Sequence, residues 1–330
     1  MQTNANSLPK LPPLWAGSEL MKLDFPEPEH LLGKWLPSGS LCMIYGSTGI
    51  GKSWFAMSVA LAVANGRDLL DWEASEPRRV AYFEAEMNQA ETKSRLVALN
   101  GGPLPDFFML CSGTGPQGAL PSIDDREAQD LYLEQILEHD IEVVVFDNLC
   151  SIVTEASISE DTTWLPVQSF FRELQSAGIT VLLVHHAGKN GDYLGTSRMT
   201  QNMNTVIEVS RPQGTPAGSG AVIEIVFKKD RGGGGNPGQT LKLIEGETGG
   251  LGWQVIGGSS VDPVEEAIEA LETREFANQQ ELADHLGISQ PKLSGLFSKA
   301  MKNGRLEQGE HNKIFHKVRT ERKTNSEQDE

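Results

Sequence analysis

The spacing of apolar and polar positions changes several times along the chain. From residue 41 to residue 186, short apolar runs bounded by turn residues alternate with longer segments whose apolar residues recur at helical spacing. The first pattern is typical of buried strands and the second of amphipathic helices; together they predict a mostly parallel sheet with helices on its faces. Strands are predicted at Leu41–Tyr45, Val80–Glu84, Phe107–Leu110, Val143–Asp147 and Thr180–His185. Helices are predicted at Lys52–Ala64, Gln89–Ala98, Asp125–Glu138 and Trp164–Ser176.

The flanking segments have a different pattern. Residues 1–37 are interrupted by six prolines, and we expect an irregular arm with one short helical piece near Glu29–Trp35. After His186, apolar runs joined by Gly- and Pro-rich turns predict an antiparallel extension of the same sheet. These added strands are expected at Val206–Ser210, Ala221–Phe227 and Leu241–Ile244. Residues 38–256 are therefore expected to form one α/β domain.

A smaller unit follows a short joint at residues 257–262. Its predicted elements, within residues 263–320, are helices at Val264–Thr273, Gln279–His285 and Gln290–Lys302 and a strand pair within Arg305–Val318. Three helices with a tight turn before the third, followed by a hairpin, are typical of a winged helix-turn-helix. Residues 321–330 are expected to be a disordered acidic tail.

Composition and charge narrow the functional classes. The chain has 330 residues, of which 38% are hydrophobic and 22% charged, as in ordinary soluble globular proteins. It contains no apolar run near the roughly 18 residues of a membrane span and no signal-peptide pattern at its start, so we expect a cytoplasmic protein without a membrane partner. The net charge of -17 argues against general polyanion binding, but residues 292–323 carry nine basic and three acidic residues, a local charge of +6. The three cysteines are expected to be buried thiols.

The most specific motif follows the first predicted strand. Gly46-Ser47-Thr48-Gly49-Ile50-Gly51-Lys52-Ser53 matches the phosphate-binding pattern G-x-x-x-x-G-K-[ST], directly between a strand and a helix. In such a loop the glycines let backbone N–H groups surround phosphate oxygens, and the helix N-terminus adds positive charge. The candidate cofactor-binding residues are Gly46, Ser47, Thr48, Gly49, Ile50, Gly51, Lys52, Ser53 and Trp54.

Acidic residues at the ends of two later strands complete a candidate nucleotide site. Asp147 ends an apolar run about a hundred residues after the loop, where a Walker B aspartate would ligand Mg²⁺ together with the Ser53 hydroxyl. Glu84 and Glu86 end the run VAYFEAEM, and hydrolysis needs a carboxylate that positions the attacking water. Their spacing of two places both on one face of the strand.

The order of these features resembles the RecA-like ATPases, and within them the hexameric replicative helicases of the DnaB and plasmid RepA kind. The resemblance spans roughly residues 30–250. It implies ATP and Mg²⁺ as cofactors and assembly into a homo-oligomeric ring, with a hexamer expected. It also implies that Glu86 activates water, with Glu84 as the alternative, and that His185 or His186 senses the γ-phosphate; the sequence does not distinguish the two histidines.

The resemblance also indicates candidate residues for DNA and for a neighbouring subunit. In RecA-like rings the loop after the sensor strand faces single-stranded DNA in the channel, which points to Lys189 and Arg198; a solvated surface loop is the alternative. The acidic loop 150–161 weakens the channel reading. Lys229 and Arg231 match a catalytic Lys-x-Arg pair presented to the neighbour's nucleotide, with a plain basic turn as the alternative. RepA-like proteins carry an arginine where this chain has Asn204 or Thr205, so Arg211 is a further candidate for the trans cation.

The C-terminal unit suggests a second contact with DNA. Lys292 and Lys299 on the predicted recognition helix and Lys313 on the predicted hairpin could meet duplex phosphates; a protein-docking role is the alternative. The sequence as a whole predicts an ATP-driven DNA helicase or translocase, with a role in mobile-element, plasmid or phage replication. The alternatives are an ATP-dependent loader or switch that does not unwind DNA, and a transcription regulator with an ATPase sensor.

Overall fold

A computed structural model describes most of the chain, and its elements are numbered in chain order. The described residues are 13–25, 27–116, 118–154, 161–188, 193–195, 198–212, 214–216, 218–232, 236, 238–246, 249–258, 263–286 and 288–326. The helices are α1 (Gly17–Leu20), α2 (Lys52–Asn65), α3 (Gln89–Asn100), α4 (Arg126–Glu138), α5 (Leu149–Ile152), α6 (Asp161–Ser176), α7 (Pro263–Glu272), α8 (Gln279–His285), α9 (Gln290–Lys302) and α10 (Glu310–Ser326). The strands are β1 (His30–Leu32), β2 (Leu36–Pro37), β3 (Leu41–Gly46), β4 (Val80–Glu84), β5 (Phe108–Ser112), β6 (Val143–Asp147), β7 (Thr180–His186), β8 (Thr205–Ser210), β9 (Val222–Asp230), β10 (Gln239–Glu245) and β11 (Leu251–Gly258). None of the described helices is both long and apolar enough to cross a membrane.

Nine strands form one sheet in the order β11-β10-β9-β8-β3-β7-β6-β4-β5. The strands from β8 to β5 pair in parallel, whereas β9, β10 and β11 add to the β8 edge in antiparallel fashion. This confirms the predicted α/β class, a mostly parallel sheet with an antiparallel extension. Strand β7 separates β3, which leads into the phosphate loop, from β6, which ends at Asp147.

Alternate side chains of the central strands enter two separate cores. On β3, Cys42 and Ile44 pack into the core on one face, while Met43 and Tyr45 pack into the core on the other. Helix α2 is apolar almost all round and nearly every residue in it is buried, as expected for a helix enclosed by other elements. Because the parallel strands are covered on both faces, polar groups with access to solvent collect at their carboxyl ends.

The helical piece predicted near Glu29–Trp35 is wrong. This segment forms the short antiparallel hairpin β1–β2, turning at Gly33, whose φ is +50°. Leu32 and Trp35 are fully buried, and the Trp35 ring lies 5.4 Å from that of Trp72. The apolar side chains therefore serve contacts with distant residues, which a local helical pattern does not reveal, and residues 30–37 belong to the core of the α/β domain.

Strand β11 was not predicted. Its sequence LGWQVIGG contains three glycines, a composition that weakens any local strand preference. It pairs along its whole length with β10, and this pairing fixes its conformation. The predicted flexible joint at 257–262 overlaps the end of β11, and residues 259–262 lie outside the described part of the chain.

All described secondary-structure elements of the C-terminal unit are helices. Helices α7, α8 and α9 confirm three predicted helices, but the strand pair predicted within Arg305–Val318 is wrong, because α10 occupies most of it. Phe315 and Val318 are buried at helical spacing, and Phe315 joins a core that includes Phe297 of α9. A helix therefore stands in place of the predicted wing. It also includes residues 321–326 of the predicted disordered tail; residues 327–330 lie outside the described part.

The three cysteines differ in exposure. Cys42 is buried in β3, Cys150 is half-buried in α5 and Cys111 is exposed on β5. The expectation of three buried thiols is therefore wrong for Cys111, because β5 is an edge strand of the sheet.

Candidate nucleotide site

The turn between β3 and α2 has the backbone that an anion-binding loop needs. Gly49 and Gly51 have φ values of 76° and 113°, a region that residues with a Cβ rarely adopt. A Cβ at Gly46 would lie 2.1 Å from the carbonyl oxygen of Val209, so the chain passes too close to β8 for a larger residue. The backbone N–H groups of the turn and the first turn of α2 can therefore surround a phosphate group.

A cavity of about 300 Å³ opens in front of this turn. Ten predicted site residues line it: Thr48, Gly49, Ile50, Gly51, Lys52, Ser53, Trp54, Glu86, Asp147 and His186. Gly46 and Ser47 lie just before the lining residues, and the Ser47 carbonyl accepts a hydrogen bond from Lys52. The fold thus brings residues from four strand ends to one place.

The predicted site contains a buried cation, Lys52, beside a buried carboxylate, Asp147. Lys52 Nζ lies 2.7 Å from the Ser47 carbonyl oxygen. Burial lowers the pKa of Lys52, while Asp147 and Glu86 oppose this. Burial also raises the pKa of Asp147, and its hydrogen bonds with Tyr82 and Ser53 act in the opposite direction.

Ser53 and Asp147 fit a magnesium ion by their chemistry. The Ser53 hydroxyl and the Asp147 carboxylate both line the cavity, and Ser53 acts to lower the pKa of Asp147. The second carboxylate oxygen of Asp147, Oδ2, accepts from Tyr82 Oη at 2.6 Å, which fixes the carboxylate. Hydroxyl and carboxylate oxygens are the ligands that Mg²⁺ prefers.

Glu86 and Glu84 have opposite surroundings. Glu86 lines the cavity with its side chain 51% exposed, and its Oε1 accepts from Ser151 Oγ at 3.0 Å. Burial raises the pKa of Glu86, but hydrogen bonds from Asn148 and Ser151 outweigh it and leave the pKa below its usual value. Glu84 is only 1% exposed. The geometry therefore favours Glu86 as the carboxylate that can reach a water molecule in the cavity.

The two histidines at the end of β7 also separate. His186 lines the cavity, with Nδ1 3.4 Å from Thr48 Oγ1 and 3.5 Å from Lys52 Nζ. Its Nε2 lies 3.7 Å from Glu86 Oε1. His186 therefore touches both the phosphate loop and the candidate catalytic carboxylate.

His185 points away from the cavity and is fully buried. Its Nε2 lies 2.5 Å from the carbonyl oxygen of Leu194, and its Nδ1 lies 3.5 Å from Cys150 Sγ. Burial lowers the pKa of His185 to about 4, so the ring is neutral at physiological pH. It joins the helix after β6 to the segment after β7.

Comparison with known families identifies the family of the chain. The family model AAA_25, described as an AAA domain, matches residues 5–192, more than half of the chain. The chain belongs to this AAA domain family. No curated protein matches it.

Two solved structures are similar to the chain at low sequence identity. Flagellar accessory protein FlaH from Methanocaldococcus jannaschii has 12% identity and a TM-score of 0.46, covering 67% of this chain and 91% of its own. A KaiC-like protein from Pyrococcus horikoshii OT3 has 14% identity and a TM-score of 0.45, covering 66% of this chain and 91% of its own.

The AAA domain is a nucleotide-hydrolysing P-loop ATPase. Its cavity is also lined by two cations that the sequence did not indicate for this cavity. Arg95 of α3 lines the cavity, with its guanidinium carbon 4.9 Å from the centre of the Trp54 ring. Arg211, considered above only as a trans cation, also lines the cavity of its own chain. No sequence motif marks Arg95 as a site residue. Asn148 also lines the cavity, and because it directly follows Asp147, the sequence could have indicated it.

Lys229 and Arg231 do not line the cavity of their own AAA domain. Lys229 Nζ donates to the carbonyl oxygens of Thr200 at 2.6 Å and Gln201 at 3.1 Å. Arg231 Nη2 donates to the Gln201 carbonyl at 2.8 Å. Within one chain, both cations therefore hold the segment that leads into β8.

The residues predicted to contact DNA are dispersed. Lys189 lies outside the described residues. Arg198 is exposed in the segment between β7 and β8. Lys292 and Lys299 are exposed on α9, and Lys313 is exposed on α10 rather than on a hairpin.

Proposed function

We propose that this AAA domain protein is an ATP-hydrolysing, DNA-associated motor of the RepA-like type, a helicase or translocase that works as a homo-oligomeric ring. One observation carries the proposal: Lys52, Glu86, Asp147 and His186 reach a single cavity at the mouth of the phosphate loop. These are the groups that phosphoryl transfer to water requires: a phosphate-binding cation, a metal ligand, a water-positioning carboxylate and a residue able to respond to the γ-phosphate.

The chemistry follows from the position of each group. The loop amides and Lys52 would bind the phosphates of ATP, and Ser53 and Asp147 would hold Mg²⁺, which would supply neutralisation of the charge that develops on the phosphates. Glu86 is ionised at neutral pH because its hydrogen bonds lower its pKa, so it can orient the attacking water and accept its proton. His186 contacts both Lys52 and Glu86 and thereby links phosphate and water positions.

The helical C-terminal unit supports the DNA-associated part of the proposal. The exposed face of α9 combines Lys292 and Lys299 with the small residues Ser294, Gly295 and Ser298. Small residues let a helix approach a groove closely, and flanking lysines contribute phosphate contacts. Ser289 caps the helix by accepting from the Lys292 amide.

The ring is supported by the placement of two cations at the end of β9, Lys229 within the strand and Arg231 directly after it. Lys229 and Arg231 lie away from the cavity of their own chain, as cations that serve a neighbouring subunit would. A site completed by a neighbour's cation makes hydrolysis depend on assembly. We expect the mass of the purified protein to rise to that of a ring, with six subunits expected, when an ATP analogue and Mg²⁺ are added.

The ATPase assignment is tested with one variant and a matched control. Glu86→Gln removes the proton acceptor and keeps the shape, so steady-state phosphate release should fall about 100-fold or more, while binding of a fluorescent ATP analogue is retained. Glu138→Gln, an exposed glutamate on α4, should hydrolyse at the wild-type rate. Normal turnover by Glu86→Gln would move the catalytic carboxylate elsewhere.

The motor assignment is tested by adding DNA. Single-stranded DNA should stimulate hydrolysis, and a forked duplex should be separated only when ATP is hydrolysed. Stimulation without strand separation or movement along DNA would replace the motor by an ATP-dependent loader or switch. No response to single-stranded or duplex DNA would reject both.

A further inference from the structure

Glu84 is a buried acidic residue that has no part in the chemistry described so far. It ends β4 beside Asp147 of β6 in the sheet register, and it is 1% exposed. Its Oε1 accepts two backbone hydrogen bonds, from the amide of Glu86 at 3.0 Å and the amide of Met87 at 2.7 Å. Its other carboxylate oxygen is buried and has no hydrogen-bond partner.

The turn that follows Glu84 is hydrogen-bonded at successive backbone groups. The amide of Ala85 donates to the Asp147 carbonyl at 2.9 Å, and the amides of Glu86 and Met87 donate to Glu84. The Met87 carbonyl accepts from Thr114. The backbone that carries Glu86 is thus fixed to β6 and to Glu84, and the Glu86 carboxylate is held separately by Ser151 Oγ.

We infer that Glu84 is a positioning residue for hydrolysis: its Oε1 fixes the backbone of Glu86 so that the Glu86 carboxylate meets water at the γ-phosphate. This inference rests on the proposed function, in which Glu86 is the water-positioning carboxylate. Glu84 touches no cavity-lining side chain through its own hydrogen bonds and acts through the main chain alone.

Several observations favour positioning over simple core filling. An apolar side chain would be enough to fill the space at this buried position. Burying a carboxyl group there costs free energy that its hydrogen bonds must offset. Burial raises the pKa of Glu84, and the nearby carboxylates of Asp147 and Glu86 add to this. Catalytic groups tolerate little displacement: an error of about 1 Å can cost about 100-fold in rate.

The test compares two substitutions of the same residue. Glu84→Leu keeps a similar volume but removes the acceptor, and we expect kcat to fall roughly 10- to 100-fold with the KM for ATP and the affinity for a fluorescent ATP analogue little changed. Glu84→Gln keeps a carbonyl oxygen that can accept from both amides, and it should restore most of kcat. If Glu84→Leu does not fold, Glu84→Met, which is unbranched like glutamate, carries the same expectation.

A double variant separates positioning from stability. If Glu84 acts through Glu86, adding Glu84→Leu to Glu86→Gln should slow hydrolysis no further than Glu86→Gln alone. Wild-type kcat in Glu84→Leu, equal losses in Glu84→Leu and Glu84→Gln, or additive losses in the double variant would each reject the inference. Full activity of Glu86→Gln would instead show that Glu86 is not the catalytic carboxylate on which this inference rests, so failure of that role and failure of the inference are distinguishable.

Discussion

Neighbouring residues with the same side chain take different parts in this molecule. His185 and His186 follow each other on β7, yet one is buried against Leu194 and Cys150 and the other lines the cavity. Alternation along a strand predicts that they face opposite sides. It does not predict which side holds the nucleotide, since that depends on how β7 is placed between β3 and β6.

His185 should make the stability of the ATPase core depend on pH. Its pKa is about 4 in the folded chain against an ordinary value near 6.5. The unfolded chain therefore binds a proton at a pH where the folded chain does not, so stability is fully present above about pH 6.5 and is lost as the pH falls toward 4. Between pH 7.5 and pH 5 this loss is about 2 kcal/mol.

The measurement is urea unfolding at both pH values, for the wild type and for His185→Gln. All six tryptophans lie at or before residue 253, so their fluorescence reports on the ATPase core alone. The variant lacks the titrating ring, so its free energy of unfolding should fall less between pH 7.5 and pH 5. The difference in free energy of unfolding between wild type and variant should therefore shrink by about 2 kcal/mol. An unchanged gap would contradict a buried neutral His185.

At the scale of elements, residues at the ends of β9 and β7 both contact the connection between β7 and β8. Lys229 and Arg231 hold the carbonyl oxygens of Thr200 and Gln201, while His185 lies against the carbonyl of Leu194 in the same connection between β7 and β8. His185 thus holds this connection at the end of β7, and Lys229 and Arg231 hold it at the end of β9.

Mixed assemblies test whether Arg231, directly after β9, acts on the nucleotide site of a neighbouring subunit. Arg231→Ala and Lys52→Ala subunits should each be inactive alone. If Arg231 serves the adjacent site, mixing them should restore hydrolysis, because some interfaces combine an intact Lys52 with a neighbour's intact Arg231.

The matched control is Lys228→Ala, which removes a neighbouring cation that pairs with Glu208 at 3.0 Å; it should hydrolyse normally in pure form. If mixing restores no hydrolysis, Arg231 acts only inside its own chain, where it donates to the carbonyl of Gln201. Full activity of pure Arg231→Ala assemblies would exclude a catalytic part for this residue.

Two elements show where local patterns fail. The segment 305–318 was predicted as a strand pair, but Phe315 and Val318 face the core at helical spacing. Residues 29–35 were predicted as helical, but Trp35 packs against Trp72 across the domain. In both segments the sequence is short, the periodicity is ambiguous, and contacts with distant residues decide the outcome.

At the scale of the whole molecule, the C-terminal helices have a core of their own and carry the local positive charge. The double variant Lys292→Gln/Lys299→Gln should weaken binding to duplex DNA and reduce the salt dependence of log K by roughly 1 per lysine. Fluorescence anisotropy with a labelled duplex at several salt concentrations measures both, and Lys93→Gln on α3 is the exposed control. Identical binding by the double variant and the control would favour a protein-docking role for α9.

Local sequence patterns were enough to predict the parallel strands, the phosphate loop between Gly46 and Ser53, and Asp147 at the end of its strand. These features depend on short-range patterns: short apolar runs, glycines at fixed spacing, and the order of strand and helix. Tertiary structure alone decided that Glu86 rather than Glu84 faces the cavity, that His186 rather than His185 meets Lys52, and that Arg95 joins them. Those choices depend on which strands are neighbours and on how residues far apart in sequence pack, and no local pattern contains that information.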